Sequence, residues 1–137
     1  MPEITRTEWE RLAGALSALS TAEQAAVHAR ADELAQQVRL NGEQSSVICP
    51  LLDREQGTCL VYEGRPLGCR TYGFYRAHHH DAFCALVEAH AAGQDMLVFG
   101  NYDVAEHALS ALDPERCSLL VWLAQHRASS HAARHSP

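Results

Sequence analysis

Two amphipathic patterns near the N-terminus predict a pair of helices. Each begins with a capping box, in which a hydroxyl side chain and a glutamate three residues later satisfy the first backbone N–H groups. The two boxes are Thr5 with Glu8 and Ser20 with Glu23. Apolar residues then recur at helical spacing in each segment, which predicts two helix-packing faces. The first face contains Trp9, Leu12, Ala13 and Leu16, and the second contains Val27, Ala31, Leu34 and Val38 before the turn pair Asn41-Gly42.

The helical period disappears between Gln44 and about Arg76. This segment contains Gly57, Gly64, Gly68 and Gly73 together with three of the five cysteines. Only Cys59–Glu63 alternates as a strand would, and only briefly. An irregular loop of about 30 residues is uncommon in a compact domain unless something other than an apolar core holds it.

Helical spacing returns from Asp81 to Gly93, and the short apolar run Met96–Phe99 fits either a strand or a turn. Ala105, Ala108, Leu109 and Leu112 predict a further helix, and Asp113-Pro114 predicts the start of a last one through about Gln125. We therefore expect a mainly α fold, in which helices flank an irregular Cys-rich metal-binding loop with at most a short hairpin. Residues 1–128 would form one domain, residues 44–84 would carry the site, and residues 129–137 would form a disordered tail.

Charge and composition narrow the function. The chain has 137 residues, and its 11 basic residues, all arginine, are outnumbered by 17 acidic ones. This balance disfavours nucleic-acid binding, which needs clustered positive charge. The sequence has neither a signal-peptide pattern nor a long apolar run, so we expect a cytoplasmic protein without membrane contact. Disulfides are uncommon in that compartment, so the five cysteines point to metal ligation, catalysis or burial.

Four of those cysteines fall in or next to the irregular loop. Cys49, Cys59 and Cys69 are separated by nine residues each, and Cys84 follows after fourteen more. Thiolates bind zinc and also hold iron-sulfur clusters, commonly in sets of four. Structural zinc sites usually contain a close Cys-x(2–4)-Cys pair, which this loop lacks. Cys117 lies in an apolar segment of the predicted last helix and is interpreted as a packing residue.

Residues 49–76, CPLLDREQGTCLVYEGRPLGCRTYGFYR, resemble the YkgJ-like CxxCxxCC cysteine-cluster family. The stretch CLVYEGRPLGCR from Cys59 to Arg70 resembles that family's signature, and Cys49 and Cys84 match its flanking cysteines. The chain departs from the family in having no cysteine before Cys49. The resemblance implies a zinc- or iron-chelating domain related to flagellin lysine N-methylase.

These observations together favour one iron-sulfur cluster, [4Fe–4S] in form, held by Cys49, Cys59, Cys69 and Cys84 in a redox, sensing or accessory role. A larger enzyme or a redox protein would be the partner. Arg65 and Arg70 would lie just outside the ligands, where guanidinium groups reduce the cost of the negative charge. The alternatives are a structural zinc site formed by the same four cysteines and a cluster-dependent modifying enzyme. One of His78, His79 and His80 could also replace a thiolate. The sequence contains no phosphate-binding glycine loop, H-E-x-x-H motif, nucleophile elbow or dinucleotide fingerprint, so a role without intrinsic enzymatic activity is favoured over an enzyme.

Overall fold

The computed structural model describes residues 2–42, 47–72, 75–76, 89 and 100–134. Within these ranges the fold is mainly α-helical, as predicted. The helices are α1 (Arg6–Ser17), α2 (Thr21–Asn41), α3 (Leu67–Thr71), α4 (Tyr102–Leu112) and α5 (Leu119–Arg134). None of the helices in the described ranges is both long enough and apolar enough to cross a lipid bilayer.

Both predicted capping boxes are present. The backbone N–H of Thr5 donates to Oε2 of Glu8 at 2.9 Å, and the N–H of Glu8 donates back to the Thr5 hydroxyl at 3.3 Å. Ser20 and Glu23 repeat the arrangement at 2.8 and 3.3 Å at the start of α2. The second helix ends where Gly42 takes a φ of 72°, a left-handed conformation that glycine adopts without steric cost.

The cysteine loop contains only small elements. Strands β2 (Leu52–Asp53) and β3 (Thr58–Cys59) form an antiparallel hairpin, which Gly57 closes with a φ of 68°. The chain then turns into a 3-10 helix at Tyr62–Gly64. The brief alternation over Cys59–Glu63 corresponds to a strand only at Cys59, because the chain then turns into this 3-10 helix rather than continuing the ladder.

The C-terminal part differs from the prediction at the start of its last helix. Asp113 ends α4, and its carboxylate accepts hydrogen bonds from the N–H groups of Thr7 at 2.7 Å and Glu115 at 3.2 Å. The next residues form β6 (Arg116–Ser118), which pairs antiparallel with β1 (Glu3–Thr5). The last helix begins only at Leu119 and extends to Arg134, through residues that the sequence analysis assigned to a disordered tail.

Two further short strands, β4 (Tyr75–Arg76) and β5 (Gly100–Asn101), pair in parallel. The helix predicted from Asp81 to Gly93 and the apolar run Met96–Phe99 lie outside the described residues, apart from Ala89, which is helical.

One apolar core joins the two ends of the chain. Trp9 of α1 stacks on Trp122 of α5 with ring centroids 5.7 Å apart, and the Trp122 indole N–H donates to the Ile4 carbonyl at 3.3 Å. Two loop residues, Leu51 and Val61, also belong to this core. The loop is thus anchored by apolar burial of its own, which its lack of periodic patterning did not reveal. The cluster contains Ile4, Trp9, Leu12, Leu16, Val27, Ala31, Leu51, Val61, Leu119, Trp122 and Leu123.

A candidate metal centre in the cysteine loop

Three of the four predicted ligands lie on separate short segments of the loop. Cys49 precedes the hairpin, Cys59 ends β3, and Cys69 lies in α3; all three are free thiols. Cys84 and the three histidines His78, His79 and His80 lie outside the described residues. Cys117 is half-buried in β6, opposite Ile4, where it packs against the core.

Main-chain hydrogen bonds bring the first two cysteines to the same end of the hairpin. The N–H of Leu52 donates to the Cys49 carbonyl at 3.1 Å, and Leu52 itself pairs with Cys59 across the ladder. The N–H of Leu60 donates to the Leu51 carbonyl at 2.9 Å. Because Pro50 and Leu51 are buried, this turn is fixed to the core. Cys49 is exposed as a whole residue, although the surrounding protein partly desolvates its sulfur.

Cys69 is positioned through contacts with α1. Oε1 of Glu8 accepts the N–H of Leu67 at 2.7 Å, so one carboxylate serves the starts of both α1 and α3. The 3-10 helix before α3 lies directly on α1, where a Cβ on Gly64 would be 3.1 Å from the Cα of Leu12. Only glycine permits this approach without displacing the two elements.

The three thiols are electrostatic neighbours. Burial raises the pKa of Cys49, and a negative charge on Cys59 raises that pKa further. Burial also raises the pKa of Cys69, and negative charges on Cys49 and then on Cys59 raise that pKa further. Cys49 and Cys69 therefore favour their neutral forms in the metal-free chain. Metal binding would have to displace these protons.

Arg65 and Arg70, predicted to surround the ligands, stabilise the turn between Cys59 and Cys69. The Arg65 guanidinium lies 3.6 Å from the ring centroid of Tyr62, and its Nε donates to the Tyr62 carbonyl at 3.1 Å. Nε of Arg70 donates to the Arg65 carbonyl at 2.7 Å. The positive charge of Arg65 also lowers the pKa of Cys69.

A third arginine beside the thiols was missed by the sequence analysis. Arg30 lies on α2, and its Nε donates to the Pro50 carbonyl at 2.8 Å. Its Nη2 is buried without a hydrogen-bond partner, and its charge lowers the pKa of Cys49. Nothing in the local sequence of α2 distinguishes Arg30 from Arg39, so only the folded chain identifies it.

The three thiols are chemically suitable ligands for zinc or iron, although they are not arranged around a common metal position. Free thiols are the donors these metals accept, and the backbone of Leu51 lowers the pKa of Cys49 in part. Within the described ranges, however, no group of three or more Cys, His, Asp or Glu side chains is arranged to hold a metal ion. Ligation by Cys49, Cys59 and Cys69 would require them to approach one another around the metal.

An open groove of about 660 Å³ begins at Cys69 and extends between β1 and α4. Its far wall carries Glu106, which accepts the Tyr102 hydroxyl at 2.7 Å and two Arg116 nitrogens at 2.5 and 3.2 Å. The Arg116 hydrogen bonds lower the pKa of Glu106, whereas burial and then Glu106 raise the pKa of Tyr102. At neutral pH the carboxylate is therefore charged and the phenol is neutral. The groove was not predicted, because its walls come from distant parts of the chain.

The structure is that of a mainly helical protein whose cysteine-bearing loop is fixed to the surface of the core. Residues 2–85 match the model of the CxxCxxCC family, described as "Putative zinc- or iron-chelating domain". The match covers more than half of the chain, which therefore belongs to this family, as the loop signature predicted. Family membership supports metal binding, with zinc or iron as the metal. No curated protein and no solved structure matches the chain.

Proposed function

We propose that this protein binds one iron-sulfur cluster, [4Fe–4S] in form, through Cys49, Cys59, Cys69 and Cys84. The observation that carries the proposal is that three free thiols, Cys49, Cys59 and Cys69, lie on three segments of one loop that is fixed to the apolar core and to α1. Membership of a zinc- or iron-chelating family supports the same reading. Cys84 enters on its spacing and on the family resemblance.

The cysteine spacing favours a cluster over a single zinc ion. Tetrahedral zinc sites are usually built on a close cysteine pair, and the nearest neighbours here are separated by nine residues. A cluster presents several irons and accepts thiolates from well-separated positions. Structural zinc bound by the same four cysteines is the second candidate for the metal.

The chain would contribute ligands, orientation and charge compensation. The hairpin would present Cys49 and Cys59, and α3 would present Cys69 from its anchor on Glu8. Arg65 and Arg70 lie on the intervening turn, where their positive charge would offset the negative charge of the thiolates. A bound cluster would supply one-electron transfer, which suits a redox, sensing or accessory role beside a larger enzyme or redox protein. Persistent free thiols would suit a reducing compartment such as the cytoplasm.

Anaerobic purification followed by metal and acid-labile sulfide analysis tests the proposal. A [4Fe–4S] protein would be brown, would be bleached by dithionite, and would contain about four irons and four sulfides per chain. A colourless protein with one zinc and no sulfide would select the structural zinc site. Absence of bound zinc and iron after anaerobic reconstitution would refute both.

Serine variants of the individual cysteines test the ligand set. Loss of metal in Cys49→Ser, Cys59→Ser, Cys69→Ser and Cys84→Ser would support shared ligation. Cys117→Ser is the matched control, because Cys117 lies in β6 against the core. Retention of metal by one loop variant would remove that cysteine from the set, and a histidine among His78, His79 and His80 would then be tested by alanine substitution.

The groove beside Cys69 favours a cluster-dependent modifying enzyme as a second candidate function. Its volume of about 660 Å³ lies within the usual range of small-molecule sites. A metal centre open to this groove would change its absorption spectrum when titrated with imidazole or cyanide. An unchanged spectrum would favour an enclosed centre, whose role is electron transfer or folding.

A further inference from the structure

Arg30 has an unusual hydrogen-bond arrangement for an arginine on a helix. Its Nε donates a hydrogen bond to the Pro50 carbonyl at 2.8 Å, which fixes the guanidinium against the turn that follows Cys49. Its Nη2 is inaccessible to solvent and has no partner. Leaving a buried donor unpaired is costly, so such a group calls for an explanation.

The surroundings of Arg30 indicate what its unpaired nitrogen could bind. Pro50, whose carbonyl accepts the Arg30 Nε hydrogen bond, directly follows Cys49, so the guanidinium lies beside the turn that carries this predicted ligand. A neutral thiol is a weak acceptor, whereas a metal-bound thiolate carries negative charge and accepts strong hydrogen bonds. The partner would therefore become available only when the metal binds.

We propose that Arg30 is a positioning residue of the metal centre: it donates an Nη hydrogen bond to the metal-bound sulfur of Cys49 while its Nε holds the Pro50 carbonyl. This inference rests on the proposed metal-binding function. It joins α2, which lies outside the cysteine loop, to the ligand set. It also explains the unpaired Nη2 of Arg30 in the metal-free chain, because the hydrogen-bond acceptor would form only when the metal binds.

The planar fork of arginine is what this role requires. Its N–H groups are held in fixed relative directions, so one can bond the carbonyl while another faces the sulfur. Lysine carries the same charge on a flexible stem without that fork. Lysine at position 30 is thus expected to restore charge but only part of the metal affinity.

Arg39 provides a matched control on the same helix. Its Nε also donates to a main-chain carbonyl, that of Ala35 at 3.2 Å, and its surroundings are exposed. Arg30→Met and Arg39→Met both remove one positive charge from α2 and retain a long side chain. Only the first removes a donor beside the thiols.

The experiment measures metal affinity and metal-free stability separately. The wild-type protein and its Arg30→Met, Arg30→Lys and Arg39→Met variants are titrated with zinc against a chelator and are reconstituted anaerobically with iron and sulfide. Circular dichroism melts of the metal-free proteins accompany each titration. We expect Arg30→Met to weaken metal binding by about 10–100-fold, as loss of outer hydrogen bonds to ligands does. Arg30→Lys should fall between it and the wild type, and Arg39→Met should match the wild type.

The outcomes separate the two proposals. Equal metal affinity in wild type and Arg30→Met overturns the role of Arg30 and leaves the metal centre standing. A wild type that binds neither zinc nor iron overturns both. A parallel loss of metal-free stability in Arg30→Met and Arg30→Lys, with unchanged affinity in the folded protein, would show a structural role for Arg30 only and would overturn the positioning role.

Discussion

Replacing Gly64 by alanine tests how closely the cysteine loop is held against α1. An added Cβ would lie 3.1 Å from the Cβ of Ala15, 3.1 Å from the Cα of Leu12 and 3.2 Å from the carbonyl oxygen of Arg11. Two of these three atoms belong to the helix backbone, which cannot move aside independently. The 3-10 helix would therefore have to shift by a few tenths of an ångström away from α1.

Two opposing effects set the size of the change. Overpacking of a well-packed contact typically costs about 1–3 kcal/mol. Alanine also restricts the unfolded chain, which returns about 0.4–1 kcal/mol where the native backbone suits it. Gly64 is not among the glycines with positive φ, so this compensation applies. We expect Gly64→Ala to lower the free energy of unfolding by about 1–2 kcal/mol.

Urea denaturation of the metal-free protein measures this change, with Gly14→Ala as the control. Gly14 lies inside α1, and nothing lies within 4 Å of the position that an added Cβ would take there. Alanine there should stabilise the helix by about 0.5–1 kcal/mol. The two glycine-to-alanine changes should thus have opposite signs. Equal stabilisation by both would refute the close packing of Gly64 on α1.

Three other perturbations probe the core and its charged groups. Leu12→Ala, at a fully buried position, should lower the free energy of unfolding by about 2–5 kcal/mol in urea melts; a loss under about 1 kcal/mol would contradict its place in the core. Because Arg116 lowers the pKa of Glu106, this pairing stabilises the protein above the usual glutamate pKa and is lost as the pH falls through the lowered one. The stability difference between wild type and Glu106→Gln should therefore shrink between about pH 7 and pH 3, and a constant difference would argue against the pairing. Burial lowers the pKa of His126, so stability should fall as the pH drops below about 6.5. His126→Gln should flatten the dependence between about pH 7.5 and 5.5, and an unchanged dependence would contradict the burial of His126.

The first two helices could be predicted because their signals are local. Thr5 with Glu8 and Ser20 with Glu23 each complete a capping box within four residues, and the apolar stripes follow directly. The same local rule failed at Asp113. Its carboxylate caps the Thr7 N–H, which lies 106 positions away in the sequence. The residue type of Asp113 thus predicts that its side chain accepts backbone N–H groups. It does not predict which segment of the chain supplies them.

The candidate site likewise contains residues that the local sequence identifies and residues that only the fold identifies. The cysteines could be found from residue type and spacing, and the family from the signature around Cys59 and Cys69. Arg30 could not be found, because its distinguishing feature is a contact with Pro50 that forms across 20 residues of chain. The role of Gly64 is likewise visible only when α1 lies beneath it.

The pairing of β1 with β6 has a consequence for the order in which the chain can fold. The family match ends at residue 85, yet Leu119, Trp122 and Leu123 complete the core that Ile4, Trp9 and Leu12 begin. During synthesis, the cysteine loop leaves the ribosome before α5, the helix that carries Trp122 and Leu123. The loop thiols are thus exposed to metal before the core can close. A chain shortened to residue 85 would retain the family signature and lose the surface on which α1 packs.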